Sequence, residues 1–142
     1  MNVWNFGDIA DAVAKVIPPT TPALIHGNRT ILWPEFHART NALASGLIER
    51  GHKPDDKLGL LLRNRPEYME GTFAAFKGRF VHVNVNYRYR EDELHYIFDN
   101  SDSRIVIYAS EFAPLVTAIR KGLPGVRTWL QVKVDDTPLP AF

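Results

Sequence analysis

The residues between positions 80 and 90 are the clearest candidates for binding chemistry. If this stretch is a strand, valines alternate with a polar row formed by His82, Asn84 and Asn86, and Arg88 follows two residues later. A strand inside a parallel sheet normally hides apolar residues on both sides, because helices cover both faces. The polar row therefore either faces a ligand or is held by hydrogen bonds to neighbouring loops.

We take His82, Asn84, Asn86 and Arg88 as candidate ligand-facing residues for a cofactor or substrate. The structural interpretation of the row is favoured, because a buried amide without a partner costs about 1–3 kcal/mol. It predicts a protein hydrogen-bond partner for each polar side chain of the row. Polar side chains that have no protein partner and line a pocket would instead favour the ligand-facing interpretation.

Two short basic segments could hold an anion. Residues 87–90 read Tyr-Arg-Tyr-Arg, which could stack on bases and contact phosphates. The net charge is only +1, so we predict no nucleic-acid partner and expect Arg88 to pair with a carboxylate while the tyrosines pack. Residues 63–66 precede a helix, where an anion could bind, although a plain cap by Asn64 is favoured.

The chain contains no motif for catalysis or metal binding. Its glycines form neither a G-x-G-x-x-G pattern nor a P-loop, and no G-x-S-x-G elbow occurs. The absence of cysteine excludes thiolate ligands and a cysteine nucleophile. A metal site formed by His82, His95 and Asp92 is disfavoured against structural histidines, and Asp55-Asp56 is interpreted as a turn. We therefore predict no catalytic residue and no metal ligand.

The elements that must position these residues follow from hydrophobic periodicity. The pattern predicts helices over about 8–17, 34–50, 66–77, 91–100 and 111–121, and strands over 23–26, 29–33, 57–62, 80–85, 104–109 and 126–134. The last four strands alternate with helices, which is typical of a parallel sheet. The predicted fold class is α/β: a parallel, Rossmann-like or flavodoxin-like open sheet with flanking helices and a small N-terminal β-hairpin.

Local signals support these boundaries. Asn5 and Asp8 have the spacing of a capping box, and Gly27-Asn28 is typical of a type II′ hairpin turn. Gly51 is placed to end the second helix. Residues 1–134 are predicted to form one α/β unit, with 135–142 as a linker or truncated tail. We find no signal peptide and no membrane-spanning segment, and therefore expect a cytoplasmic protein.

The order of several segments resembles the N-terminal segment of an AMP-forming acyl-CoA synthetase, of the fatty-acid or steroid type, in the adenylate-forming superfamily. No single segment is diagnostic, but their order and spacing together are specific and extend to about Val134. The segments are residues 5–9, 22–30, 33–36 with Asn41, 56–68, 84–89, 93–94 and 99–103. Residues 77–80 depart from the small apolar residue usual in the family and are expected to form a local variant at a helix end.

The resemblance implies a two-step reaction that uses ATP, magnesium and coenzyme A. The carboxylate and ATP give an acyl-adenylate and pyrophosphate, and coenzyme A then displaces AMP. The family's phosphate loop, its magnesium ligand and its mobile C-terminal domain have no counterpart in these 142 residues. We therefore expect an inactive part of a synthetase that binds no cofactor by itself. Its expected partners are the remainder of the synthetase and further copies of itself, in a homo-oligomer. The alternative is a stand-alone α/β binding or oligomerisation module.

Overall fold

A computed structural model describes residues 4–134 of the chain, so the predicted tail of residues 135–142 lies outside the described residues. The elements, in chain order, are α1 (Phe6–Val16), β1 (Pro22–His26), β2 (Arg29–Leu32), α2 (Trp33–Glu49), β3 (Lys57–Leu61), α3 (Pro66–Lys77), β4 (Val81–Asn84), α4 (Glu91–Asn100), β5 (Ser103–Ala109), α5 (Ala113–Ile119) and β6 (Thr128–Val132). The chain divides into two compact units. The first runs to Asp55 and includes Asn64–Val81; the second comprises Asp56–Arg63 and the residues from His82 onward.

The first unit contains the hairpin and three helices. The predicted capping box starts α1: the Asn5 side chain accepts from the Gly7 and Asp8 backbone N–H groups, and the Asn5 N–H donates to Asp8 Oδ2 at 2.8 Å. Gly7 allows α1 to approach α3 closely, since a Cβ there would lie 2.8 Å from the backbone N of Lys77. The hairpin turn has φ +56° at Gly27, as a type II′ turn requires at its first central position.

Aromatic packing and a buried lysine hold the helices of the first unit together. The Phe73 ring lies 5.3 Å from that of Phe36 and 5.8 Å from that of Phe76, both nearly edge to face. Lys77 Nζ donates to Asp11 Oδ1 and Asn41 Oδ1, each at 2.6 Å, and to His37 Nδ1 at 3.1 Å. Its three protons thereby join the end of α3 to the middle of α1 and the first half of α2. The local variant expected for residues 77–80 stays a prediction.

The second unit contains a four-stranded sheet in the order β4-β3-β5-β6. β3 pairs in parallel with β5, and β5 with β6, which aligns Gly59 with Val106 and Val106 with Trp129. A Cβ on Gly59 would lie 2.8 Å from the Phe98 ring, so α4 packs directly over this position. The Trp129 ring packs edge to face against Phe98 and Tyr108. The α/β fold with a parallel sheet, flanking helices and a small hairpin is confirmed.

Several element boundaries differ from those that the periodicity predicts. The predicted helix over 111–121 is an α-helix only over Ala113–Ile119, with a 3₁₀ turn on each side. Pro114 has no backbone N–H to donate and therefore sits in the first turn. The strands predicted over 80–85 and 126–134 pair only over Val81–Asn84 and Thr128–Val132. Both lie at the edges of the described sheet, where one side has no strand to extend the pairing. Among residues 4–134, every helix is too short or too polar to cross a bilayer.

Candidate functional site

The carboxyl ends of β3, β4 and β5 surround an open cleft of about 740 Å³. Arg63 reaches the cleft from the end of β3, residues 87–90 from the loop after β4, and Glu111, Phe112 and Leu115 from the segment after β5. Ligands of open parallel sheets bind outside the carboxyl ends of the strands, because loops from several strands converge there. This cleft is therefore the candidate functional site of the second unit.

Arg63 is held in place on two sides. Its Nε donates to both carboxylate oxygens of Glu111, at 2.9 and 3.1 Å. Its guanidinium carbon lies 4.6 Å from the centre of the Tyr87 ring, a cation–π distance. Because Glu111 neutralises this arginine, Arg63 forms part of the wall of the cleft and adds little net charge.

Arg88 is a different kind of group in the same cleft. It is exposed, its guanidinium carbon lies 5.6 Å from the Tyr87 ring centre, and its backbone N–H donates to Asn86 Oδ1 at 3.0 Å. Arg88 was expected to pair with a carboxylate, but it has no such partner among residues 4–134. Its guanidinium lies near the Tyr87 ring instead. Arg88 therefore brings a cation to the cleft that no described carboxylate neutralises.

Arg90 is also exposed, but it stands next to negative charge. Its backbone N–H donates to Glu93 Oε2 at 2.9 Å, and three acidic residues, Glu91, Asp92 and Glu93, form the first turn of α4. These carboxylates suit the positive end of that helix. Arg88 is therefore better placed than Arg90 to bind an incoming anion.

Of the polar row before Arg88, His82 and Asn84 lie on β4, an edge strand of the described sheet, and Asn86 follows that strand. Asn84 and Asn86 are exposed and His82 is half-buried, so the premise that the row must be buried is wrong. The Asn86 side chain has the structural partner that the favoured interpretation predicted, namely the Arg88 N–H. Burial lowers the pKa of His82, which favours its neutral form. His82 and Asn84 do not line the cleft.

At the second basic segment, residues 63–66 before α3, a carboxylate of the chain itself occupies the position that an anion would take. Arg65 is the N-cap residue, and no side chain caps the helix, so the cap predicted for Asn64 is wrong. Glu67 accepts from Arg65 Nε at 2.6 Å and from Arg29 Nη1 at 3.1 Å. Burial by itself would raise the pKa of Glu67, but the hydrogen bonds from Arg65, the backbone and Arg29 hold it below its usual value. An external anion would find this position occupied.

Metal binding finds no support in the described residues. Within residues 4–134, no three His, Asp or Glu side chains are grouped to hold an ion. The set of His82, His95 and Asp92 is not assembled, and His95 Nε2 instead lies 3.1 Å from the Gly122 carbonyl oxygen.

Sequence reasoning missed the pairing of Arg63 with Glu111, because 48 positions separate them. The available signal was topological. Arg63 directly follows one predicted strand, Glu111 begins the helix two residues after the end of another, and the carboxyl ends of parallel strands meet at one edge of the sheet.

Comparison with known proteins gives a consistent result. The family described as AMP-binding enzyme matches residues 11–140. The 3-oxocholest-4-en-26-oate–CoA ligase of Rhodococcus rhodochrous is 36% identical over 129 residues, covering 91% of this chain and 23% of that protein. The medium-chain acyl-CoA ligase Mig of Mycobacterium avium is 34% identical over 137 residues, covering 87% and 25%. The chain thus spans about a quarter of the length of these relatives.

Solved structures agree. The inhibitor-bound N-terminal domain of FACL13 from Mycobacterium tuberculosis superimposes with a TM-score of 0.84 at 27% identity, covering 92% of this chain and 34% of that one. The anthranilate CoA ligase AuaEII, in complex with anthranoyl-AMP, has a TM-score of 0.85 at 24% identity and covers 91% and 25%. The second likeness bears on the fold alone.

Proposed function

Because the chain belongs to the family of AMP-binding enzymes, we propose that it forms the N-terminal part of an acyl-CoA ligase that joins a carboxylate to coenzyme A using ATP. The observation that carries this proposal is the 36% identity with a CoA ligase over 91% of the chain. A carboxylate oxygen attacks the α-phosphorus of ATP and pyrophosphate leaves. The thiolate of coenzyme A then attacks the acyl carbon, and AMP leaves. A stand-alone binding module is not favoured.

The substrate class we propose is a lipid carboxylate. Several relatives are ligases for medium- and long-chain fatty acids and for 3-oxocholest-4-en-26-oate, and they are 33% to 36% identical over 129 residues. We place the protein in lipid metabolism on this basis, and we propose the cytoplasm as its location. Residues 1–134 would then be one N-terminal α/β part of the ligase, and the remainder of the ligase would be its partner.

Within this function, Arg88 is the proposed ligand-facing residue, with a phosphate group of ATP or of coenzyme A as its ligand. Three facts support it: Arg88 lines the cleft, its side chain is exposed, and no described carboxylate neutralises it. Asn86 acts as a positioning residue, since its side chain accepts the Arg88 N–H. A ligand-facing role for His82 and Asn84 stays a prediction without comparable support.

Magnesium, which the resemblance implies for the complete reaction, does not fit the described residues. Residues 4–134 offer no cluster of three His, Asp or Glu side chains for it. No step of the proposal therefore passes through magnesium on this part of the chain. We propose that any magnesium of the whole ligase is held by residues other than these.

A graft tests the proposed function. The matched 129 residues of the Rhodococcus rhodochrous ligase are replaced by those of this chain. We expect carboxylate-dependent release of pyrophosphate and formation of acyl-CoA by the graft. We expect the 142-residue chain alone to release no pyrophosphate and to form no acyl-CoA, because it lacks a phosphate loop. For the same reason, we expect no ATP binding by calorimetry. A graft that is monodisperse and folded by circular dichroism yet inactive would contradict the proposal.

The role of Arg88 is tested in the same graft. Arg88→Ala should raise KM about tenfold for the substrate whose phosphate it contacts, since a charge-assisted hydrogen bond contributes about 1.5–3 kcal/mol. If KM rises for ATP alone, Arg88 contacts a phosphate of ATP. If KM rises for coenzyme A alone, Arg88 contacts a phosphate of coenzyme A. Lys121→Ala removes another exposed cation and should change neither KM. Unchanged KM values in Arg88→Ala would remove Arg88 from the site.

We also propose that the chain forms a homo-oligomer through the outer edge of β6. This strand pairs only with β5 in the described sheet, and its five residues, Thr128–Val132, include no charge. Uncharged edge strands favour pairing with another strand. Sedimentation velocity should show a concentration-dependent dimer that Leu130→Lys disperses, and a monomer at high concentration would contradict this.

A further inference from the structure

Two arginines of the cleft in the second unit lie near one aromatic ring. The guanidinium carbon of Arg63 is 4.6 Å from the centre of the Tyr87 ring, and that of Arg88 is 5.6 Å from the same centre. Because both distances end at one point, the two guanidinium carbons are at most about 10 Å apart. Both side chains line the cleft and are exposed. One ligand of moderate size can therefore reach both arginines.

Most hydrogen-bond donors of these two arginines have no acceptor. Glu111 accepts only from Arg63 Nε, at 2.9 and 3.1 Å. Arg63 Nη1 and Nη2 donate to no residue between 4 and 134, and the Arg88 guanidinium makes no hydrogen bond within the same range. A guanidinium donates in a planar fork that matches the oxygens of a phosphoryl group. The cleft therefore presents two such forks to an incoming ligand.

The number of these donors bears on the class of ligand. A carboxylate, or a single phosphoryl group held by one fork, leaves the other arginine without an acceptor. A diphosphate has two linked phosphoryl groups, so each fork can hold one of them. The side chains of Arg63, Arg88 and Glu111 together carry one net positive charge, which favours an anion.

We infer that Arg63 and Arg88 together bind the diphosphate of a nucleotide, Arg63 through Nη1 and Nη2 and Arg88 through its whole guanidinium. The inference deepens the proposed function and rests on it, because ATP and coenzyme A both carry a diphosphate. Arg63 thereby binds the ligand as well as forming part of the wall. Glu111 and Tyr87 are positioning residues, since the carboxylate holds the Nε side of Arg63 and the ring lies near both guanidiniums.

Inorganic pyrophosphate is the probe for the 142-residue chain itself. Nitrogen-15 NMR at mildly acidic pH follows the arginine Nε–H signals while pyrophosphate or orthophosphate is added at constant ionic strength. We expect the Arg63 and Arg88 signals to shift along one common curve with pyrophosphate. The binding should be too weak for calorimetry, because the chain has no phosphate loop. Orthophosphate should bind about tenfold more weakly, since it loses the contacts of one fork.

Variants show whether the two arginines share one ligand. Arg63→Gln should remove most of the shift that pyrophosphate causes at Arg88. Lys121→Gln is the matched control, because it removes the same charge from an exposed side chain outside the cleft, and it should leave that shift unchanged.

The active graft identifies the substrate that supplies the diphosphate. Arg63→Gln should raise KM about tenfold for the same substrate that Arg88→Ala affects, with kcat within about twofold of the unsubstituted graft. Arg63→Lys should raise that KM too, since it keeps the charge but loses the fork. An effect on ATP assigns the diphosphate of ATP. An effect on coenzyme A should persist with dephospho-coenzyme A, which keeps the diphosphate and lacks the separate 3′-phosphate.

Four results would overturn the inference. They are equal affinity of the chain for pyrophosphate and orthophosphate, an Arg63 signal that does not respond to pyrophosphate, unchanged KM values in the Arg63→Gln graft, and loss of the coenzyme A effect with dephospho-coenzyme A. The NMR experiment needs no ligase activity. An inactive graft would therefore contradict the proposed function, while the response of the chain to pyrophosphate would still decide whether the two arginines form a diphosphate site.

Discussion

The charged side chains of the two units serve different purposes. In the first unit, Lys77 is buried with three acceptors, and Arg39 forms two hydrogen bonds to Glu70, at 2.6 and 2.8 Å. In the second unit, the pair of Arg63 and Glu111 is partly exposed, and Arg88 has no described carboxylate partner. The first unit thus uses its polar groups to join helices, whereas the second unit leaves cations at the edge of its sheet.

The two units also differ in how closely their backbones approach. At Gly7 the obstacle to a side chain is the backbone of α3, whereas at Gly59 it is the ring of Phe98. A ring can rotate or shift, but a helix backbone moves only as a whole. The same substitution should therefore cost more at Gly7 than at Gly59.

Gly7→Ala should destabilise the protein by about 3 kcal/mol, because the new Cβ would lie 2.8–2.9 Å from three backbone atoms of α3. Gly59→Ala should cost about 1 kcal/mol, since the Phe98 ring can shift. Urea unfolding measures both. Gly46→Ala, on an open side of α2, is the control and should stabilise by up to about 1 kcal/mol. Equal losses at positions 7 and 59 would contradict the distinction.

Glu70→Gln should cost about 2 kcal/mol, because the carboxylate is buried and its partner would lose a two-point contact. This loss of stability is smaller than the loss expected for a fully buried pair, since Arg39 is 43% exposed. Glu111→Gln removes the matching pair of the second unit, 55% and 35% exposed, and should cost less than about 0.5 kcal/mol. Denaturation midpoints of the two variants give the comparison, and a reversed order would refute it.

Glu67 should make the first unit sensitive to acid. Its folded-state pKa is lowered, so its contribution to stability is present above the unfolded pKa near 4.5 and is lost as pH falls through the folded value. The melting temperature of the wild type should therefore fall more steeply below about pH 4.5 than that of Glu67→Gln. Parallel curves for the two proteins would show that the Arg65 and Arg29 contacts do not favour the charged form.

Arg88→Ala should leave stability almost unchanged, within about 0.5 kcal/mol, because an exposed cation–π contact contributes little. This result would sharpen the contrast between the units, since the residue would matter for ligand affinity and not for folding. Thermal unfolding of the variant beside the wild type measures the effect. A loss above 2 kcal/mol would instead make Arg88 a structural residue.

The sequence was sufficient to predict the parallel α/β sheet, the hairpin and the α1 capping box. It also gave four candidate ligand-facing residues in and after the fourth strand, of which Arg88 lines the cleft. It was insufficient for the cap of α3 and for the partner of Arg88. The start of α3 at Pro66 agrees with the prediction, but the N-cap is the residue directly before it, Arg65, and Asn64 lies one position too early to cap the helix.

What the sequence determined by itself is local: where helices begin and end, and which turns need glycine, as at Gly27 and Gly51 with φ of +56° and +85°. Such features depend on residues within a few positions of one another. The position of β4 at an edge of the sheet that the structure describes, and the contact of Arg63 with Glu111, depend on the tertiary structure. Strand order is not contained in hydrophobic periodicity, because the same alternation suits a central and an edge strand. Groups separated by 48 positions are brought together only when the parallel strands align their carboxyl ends.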